Sequence, residues 1–181
     1  MSHRLFVGLG LPHPVRADLH ALQGGVKGAR WVAPENLHIT IRFIGELERP
    51  EAEDVAEALA AITAPAFELE LSDAGTFASD RGPRLIWAGI APSDELAALK
   101  ARVDAALARA GIGLEERDFV PHVTLARLRG ASIDDVAQRV GEIAPLVVGR
   151  IEVDELVLFE SHLGTAGAHY QPAVVFPLIA A

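Results

Sequence analysis

Two short stretches of this chain pair a histidine with a threonine two residues on. They are Leu37-His38-Ile39-Thr40-Ile41-Arg42-Phe43 and Pro121-His122-Val123-Thr124-Leu125-Ala126-Arg127. In an extended strand alternate side chains share a face. His38 and Thr40 therefore point together, as do His122 and Thr124, while Ile39, Ile41, Val123 and Leu125 turn toward a core. Of the seven histidines, only these two have threonine at the second position after them. Two such strands offer two imidazoles and two hydroxyls to one cleft.

That set suits cleavage of a phosphodiester. One neutral imidazole takes a proton from the attacking water, and one imidazolium gives a proton to the departing oxygen. Both forms are accessible near neutral pH, because an unperturbed imidazole titrates at about 6.5. Thr40 and Thr124 can donate to the non-bridging oxygens, where charge gathers in the transition state. Attacking and leaving oxygens lie in line across phosphorus, so the two rings are expected to face each other across it. Metal ligation by His38 and His122 is the competing use of the pair. Neither strand carries a carboxylate beside its histidine, and no second histidine sits at ligand spacing. No metal or other cofactor is expected. His3, His13, His20, His162 and His169 read as solvated side chains.

The scaffold must hold two strands face to face. The 181 residues suffice for a single domain, 1–181, with two lobes, each contributing one His-x-Thr strand, 37–43 and 121–127. There is no cysteine, which excludes disulfides and thiolate sites. The net charge of −9 weighs against tracking along duplex DNA, though a few local donors suffice to grip one terminal phosphate. Much of the acidity lies in helix-like runs such as Glu51-Ala52-Glu53-Asp54, read as a solvated face. The apolar run after Met1 is too short for a signal-peptide core, and no stretch suits a membrane helix. A cytoplasmic monomer is expected.

Periodicity places the elements. Arg4 to Leu9 reads as a strand and Pro14 to Gln23 as a helix on Val15, Leu19 and Leu22. Gly45 is expected to close the first motif strand. Pro50 opens a helix on Val55, Ala58, Leu59 and Ile62. Phe67 to Leu71 alternates as one half-buried strand, Gly75 to Gly82 reads as a loop, and Arg84 to Ile90 as a strand. Ser93 or Asp94 caps a helix on Leu96, Leu99, Val103 and Leu107. Ser132 opens a last helix on Ile133, Val136, Val140 and Ile143. Ile151 to Phe159 and Ala173 to Ile179 are closing strands. The order strand, helix, motif strand, helix, strands occurs roughly twice, offset by the 84 residues between His38 and His122. The expected fold is α+β: bilobal, with two pseudo-symmetric antiparallel sheets flanked by helices around a central cleft.

The flanks carry a family resemblance. Arg4-Leu5-Phe6-Val7, the run from Trp31 through Thr40, Phe43-Ile44-Gly45-Glu46, Pro121 through Arg127, and the tail with Leu158 to Ser161, Gly167, Tyr170 and Phe176-Pro177-Leu178 together resemble the 2H phosphoesterases. Specifically, they resemble the branch of bacterial RNA 2′,3′-cyclic phosphodiesterases, formerly called 2′-5′ RNA ligases. The resemblance implies metal-free hydrolysis of a terminal 2′,3′-cyclic phosphate, on RNA or a cyclic nucleotide, to a 2′-phosphate. It makes His38 the proton donor to the leaving 3′ oxygen and His122 the proton acceptor that activates water. Thr40 and Thr124 hold the phosphate. Phe43 and Arg127, five past each histidine, sandwich the terminal base.

Straight alternation puts Phe43 and Arg127 on the face opposite the histidines, so that last role requires twist or a bulge. Without it, Phe43 is core and Arg127 pairs with an acid. Many relatives carry a basic residue where this chain has Val120, and Arg42, on the His38 face by alternation, is the candidate to compensate. Cleavage or joining of 2′-5′ linkages would use the same pair. A non-catalytic RNA-end binder would keep the pocket without turnover.

Overall fold

The computed structural model describes residues 1–180. Its strands in chain order are β1 (Ser2–Gly10), β2 (Ala29–Trp31), β3 (His38–Glu48), β4 (Phe67–Leu69), β5 (Leu71–Ser79), β6 (Gly82–Ile90), β7 (His122–Leu128), β8 (Ile151–Val153), β9 (Glu155–Gly164) and β10 (Gly167–Pro177). The helices are α1 (His13–Ala21), α2 (Arg49–Ala60), α3 (Asp94–Arg109) and α4 (Ile133–Ile143), with a 3₁₀ turn at Pro34–Asn36. The class is α+β with antiparallel pairing, as expected.

The two expected sheets are in fact one. Eight strands run in the order β10-β9-β1-β3-β7-β6-β5, with β2 added beside β7. The centre is narrow: β3 and β7 share the pair Ile39–Val123. On either side of it the order mirrors itself. β3 is flanked by β1 and then β9; β7 is flanked by β6 and then β5. The sheet thus has two wings related by an approximate two-fold axis through that pair. β4 and β8 form a separate two-stranded sheet, so the run Phe67 to Leu71 is divided between two sheets rather than being one strand.

The helical stripes form the core on one face. Leu96, Leu99, Val103 and Leu107 of α3 are all buried, as are Val55 and Leu59 of α2. α2 packs on β1 and β3, α3 on β3, and α4 on β5 and β6. Ser93 caps α3 by accepting from the Leu96 amide at 3.1 Å, which satisfies one of the free donors of the first turn. Glu51 reaches back to the Glu48 amide at 2.9 Å at the start of α2; the other acids of that run stay exposed. In α4, Ile133 is exposed rather than buried.

Four further strand readings change. Ile151 to Phe159 is not one strand: β8 pairs with β4 in the small sheet, and β9 starts at Glu155 in the large one. Gly75 to Gly82 is not a loop: β5 runs on to Ser79 and turns tightly into β6. The glycine that suggested a break has a packing cause. A Cβ on Gly75 would lie 2.3 Å from the Trp87 ring, so the indole lies across β5 only because residue 75 has no side chain. β3 does not end at Gly45 but continues to Glu48, passing Gly45 at a positive φ of 101°. The strand from Ala173 begins earlier, at Gly167, as the second arm of the β9–β10 hairpin.

Both motif strands are also interrupted at the same offset. Gly8 pairs with Thr40 and Val7 with Arg42, which leaves Ile41 as an extra residue in β3. Trp87 pairs with Thr124 and Ile86 with Ala126, which leaves Leu125 extra in β7. Each is a β-bulge, which re-aims every side chain after it.

Candidate active site

The Ile39–Val123 pair fixes the geometry of the motifs. In an antiparallel pairing the neighbours on either side run in opposite senses. His38 thus lies beside Thr124, and Thr40 beside His122, on the face away from the helices. From β1, the residues paired with Thr40 and His38 are Gly8 and Gly10, so the two directly opposite positions carry no side chain.

Each imidazole is held by the carbonyl two residues before it, just ahead of its strand. Nδ1 of His38 donates to the Asn36 carbonyl at 2.6 Å. Nδ1 of His122 donates to the Val120 carbonyl at 2.7 Å. A carbonyl only accepts, so Nδ1 carries the hydrogen in both rings and Nε2 is left for chemistry. The Thr40 hydroxyl donates to Nε2 of His38 at 3.0 Å. Asn36 is itself fixed: its amide donates to the Ala168 carbonyl at 2.9 Å and its side-chain oxygen accepts from the Tyr170 amide at 3.2 Å. That ties the turn before β3 to the β9–β10 hairpin.

The surroundings of the two rings differ. His38 is enclosed by Phe6 at 4.9 Å, Tyr170 at 5.0 Å and Phe159 at 5.8 Å between centroids. Burial in this apolar box lowers its pKa from 6.5 to about 4; the hydrogen bond to Asn36 opposes that shift, and the charges of Arg127 and His122 add to it. His122 meets a single ring, Phe77, edge-on at 5.3 Å.

The bulges decide where the fifth residues go. Beyond Ile41, Arg42 turns inward and Phe43 outward; beyond Leu125, Ala126 turns inward and Arg127 outward. Phe43 and Arg127 therefore reach the histidine face. With His38, Thr40, Arg4, Phe6, Ser161 and Tyr170 they line a hollow of about 150 Å³. Phe43 is 47% exposed, so it is not core. No ion pair to Arg127 occurs among the described residues. His122 and Thr124 lie across the central pair rather than in the wall of this hollow.

Arg42 is a correction. The bulge takes it off the His38 face, where alternation had put it, and buries it to 3%. Its guanidinium donates to Asp104 of α3 at 2.8 Å and to the Gly113 carbonyl. It is a structural residue and does not replace the charge absent at Val120, which is 52% exposed. The local cations are instead Arg127 and Arg4, whose guanidinium lies 5.4 Å from the Phe43 ring centroid. Sequence reasoning missed Arg4, Phe6, Ser161 and Tyr170 as site residues. Arg4 and Phe6 alternate on β1, a signal at period two; Ser161 and Tyr170 arrive from distant strands.

The LigT like Phosphoesterase family model matches residues 9–87 and 89–170, each segment holding one motif strand. The RNA 2′,3′-cyclic phosphodiesterase of Aeropyrum pernix is 37% identical over 142 residues, 77% of this chain and 81% of that protein. The enzyme of the same name from Methanothermobacter thermautotrophicus is 32% identical over 98% of this chain and its whole length. The crystal structure of E. coli LigT complexed with 3′-AMP superposes with a TM-score of 0.78 at 28% identity, covering 98% of this chain and 99% of that one. Matched in both halves by one family model and aligned nearly end to end with such relatives, the chain belongs to the LigT-like phosphoesterase family.

Proposed function

We propose that the protein hydrolyses the 2′,3′-cyclic phosphate at an RNA end, leaving a 2′-phosphate, without a metal ion. The observation that carries this reading is the duplicated imidazole: two rings, each with Nδ1 fixed to the carbonyl two residues before it and Nε2 left free of the backbone, set about one local axis. Names of the relatives support the substrate class. The whole chain, 1–181, acts as one domain with two lobes, each bringing one motif strand.

In the reaction, Nε2 of His122 removes a proton from water as its oxygen attacks phosphorus. The bond from phosphorus to the 3′ oxygen breaks, and His38 gives that oxygen a proton. Thr40 and Thr124 donate to the non-bridging oxygens. The Thr40 hydroxyl, which donates to His38, rotates to do so. A ring with a pKa of about 4 is neutral at pH 7. The bound phosphodiester supplies a negative charge beside it, which favours the imidazolium and raises that value. His38 thus becomes a donor in the complex. Phe43 and Arg127 offer an aromatic face and a guanidinium plane to the terminal base.

The test is an assay on an oligoribonucleotide ending in a 2′,3′-cyclic phosphate, in excess chelator, beside a 2′-5′-linked dinucleotide. Release of a 2′-phosphate end with chelator present is the expected result. Loss of turnover on chelation would overturn the metal-free mechanism. Turnover of the 2′-5′ linkage alone would favour the sister reaction, and tight binding with no turnover of either would mark an RNA-end binder.

A further inference from the structure

We propose that Phe77 and Trp87 form a second stacking platform, which takes the nucleobase preceding the terminal one and makes an RNA end a better substrate than a lone cyclic nucleotide. This rests on the cyclic phosphodiesterase reading above. The family's motif residues do not account for these two rings. They lie in the wing of β7, on the histidine face, outside the hollow that Phe43 and Arg127 share.

Several observations place them there. Trp87 pairs with Thr124, so its side chain rises on the same face as the motif hydroxyl. Its ring lies flat over Gly75, the one position in β5 where a Cβ would strike it. Phe77 is 5.5 Å from Trp87 at 39° and meets His122 edge-on. Both rings are only half-buried, so an aromatic surface stays open beside the catalytic imidazole. A half-buried aromatic pair costs solvation unless something flat covers it.

The register supplies the spacing. Phe77 pairs with Leu85, Leu85 with Arg127, and Arg127 with Arg30, so the four form one row across β5, β6, β7 and β2. Phe77 is two strands from Arg127, about 10 Å. A single-stranded RNA whose terminal base stacks on Arg127 can reach that far with its next base. The row is cationic at Arg30 and Arg127 and aromatic at Phe77, which matches a backbone on one side and a base on the other.

The experiment compares kcat/KM for adenosine 2′,3′-cyclic phosphate and for the dinucleotide ApA ending in 2′,3′-cyclic phosphate, in wild type, Phe77→Ala and Phe77→Tyr. Stacking of one base gives about a tenfold preference or more for the dinucleotide, expressed mainly in KM. Phe77→Ala is expected to bring the ratio to near one, and Phe77→Tyr to retain it. The ratio is internal to each variant, so a general effect of substitution beside His122 cancels. A wild-type ratio near one, or an unchanged ratio in Phe77→Ala, would overturn the platform while leaving the enzymatic reading intact. Failure to turn over either substrate would instead sink the parent reading, and this one with it.

Discussion

Ile39 and Val123 are the residues through which the two motif strands pair, and they place His38 against Thr124 and Thr40 against His122. Each motif threonine thus stands across from the other strand's histidine, while the Thr40 hydroxyl donates to its own strand's His38 at 3.0 Å. Under the proposed roles, removing one ring leaves the opposite acid or base with its water or leaving group but no partner. His38→Ala and His122→Ala are each expected to lower kcat by about 10²- to 10⁴-fold. A substrate with a good leaving group needs no acid, so it should rescue His38→Ala and not His122→Ala. Rescue of His122→Ala instead would reverse the two roles.

Phe43 and Arg127 reach the site only because of the bulges at Ile41 and Leu125. Each should contribute stacking energy rather than chemistry. Phe43→Ala and Arg127→Ala are expected to raise KM about tenfold, with kcat changed little. Arg127→Lys should restore little, since an ammonium has no plane to stack. Steady-state kinetics on a cyclic-phosphate RNA end decides it.

Burial of His38 also appears in stability. Its folded pKa of about 4 lies below the ordinary 6.5. Between those values the unfolded chain binds a proton here that the folded chain does not. Stability from this group is therefore complete above pH 6.5 and falls as the pH drops toward 4, by about 3 kcal/mol in all. Urea unfolding at pH 7 and pH 4 should show a smaller pH dependence in His38→Gln than in wild type, by about that amount. Equal dependence in the two proteins would mean that the ring is not held neutral.

Arg42 is the residue whose substitution separates fold from function. It is buried against Asp104 and the Gly113 carbonyl. Arg42→Ala is expected to lower unfolding free energy by about 3 kcal/mol, because Asp104 at 2.8 Å and Glu115 at 3.7 Å keep only Lys100 as a cation and the Gly113 carbonyl loses its donor. Well below its melting temperature the variant should keep the wild-type KM for RNA. A large rise in KM with unchanged stability would return Arg42 to the binding surface.

Residue spacing made some of this legible before any coordinates. The stripe Leu96, Leu99, Val103 and Leu107 states a helix by its period, and the cap at Ser93 states where it begins. The motif strands are equally plain, since His and Thr at period two against Ile and Val admit little else. The bulges were legible only as one way to bring Phe43 and Arg127 onto the histidine face, and spacing did not locate them. One extra residue leaves the composition of a strand unchanged, and its trace in β3, two consecutive inward positions at Ile41 and Arg42, is disguised because one of them is charged. Gly75 suggested a loop because the ring that requires a glycine, Trp87, is on another strand. The box around His38 is further out of reach: Phe6, Phe159 and Tyr170 come together through the register of β1, β9 and β10, a non-local fact.

That box has one more effect. A perfectly symmetric pair of motifs would accept a phosphodiester equally well either way round, and under the proposed roles half of all encounters would set the leaving oxygen beside the wrong ring. With Phe6, Phe159 and Tyr170 around His38 and only Phe77 beside His122, the two orientations are no longer equivalent. The aromatic enclosure gives a twofold framework its sense of direction.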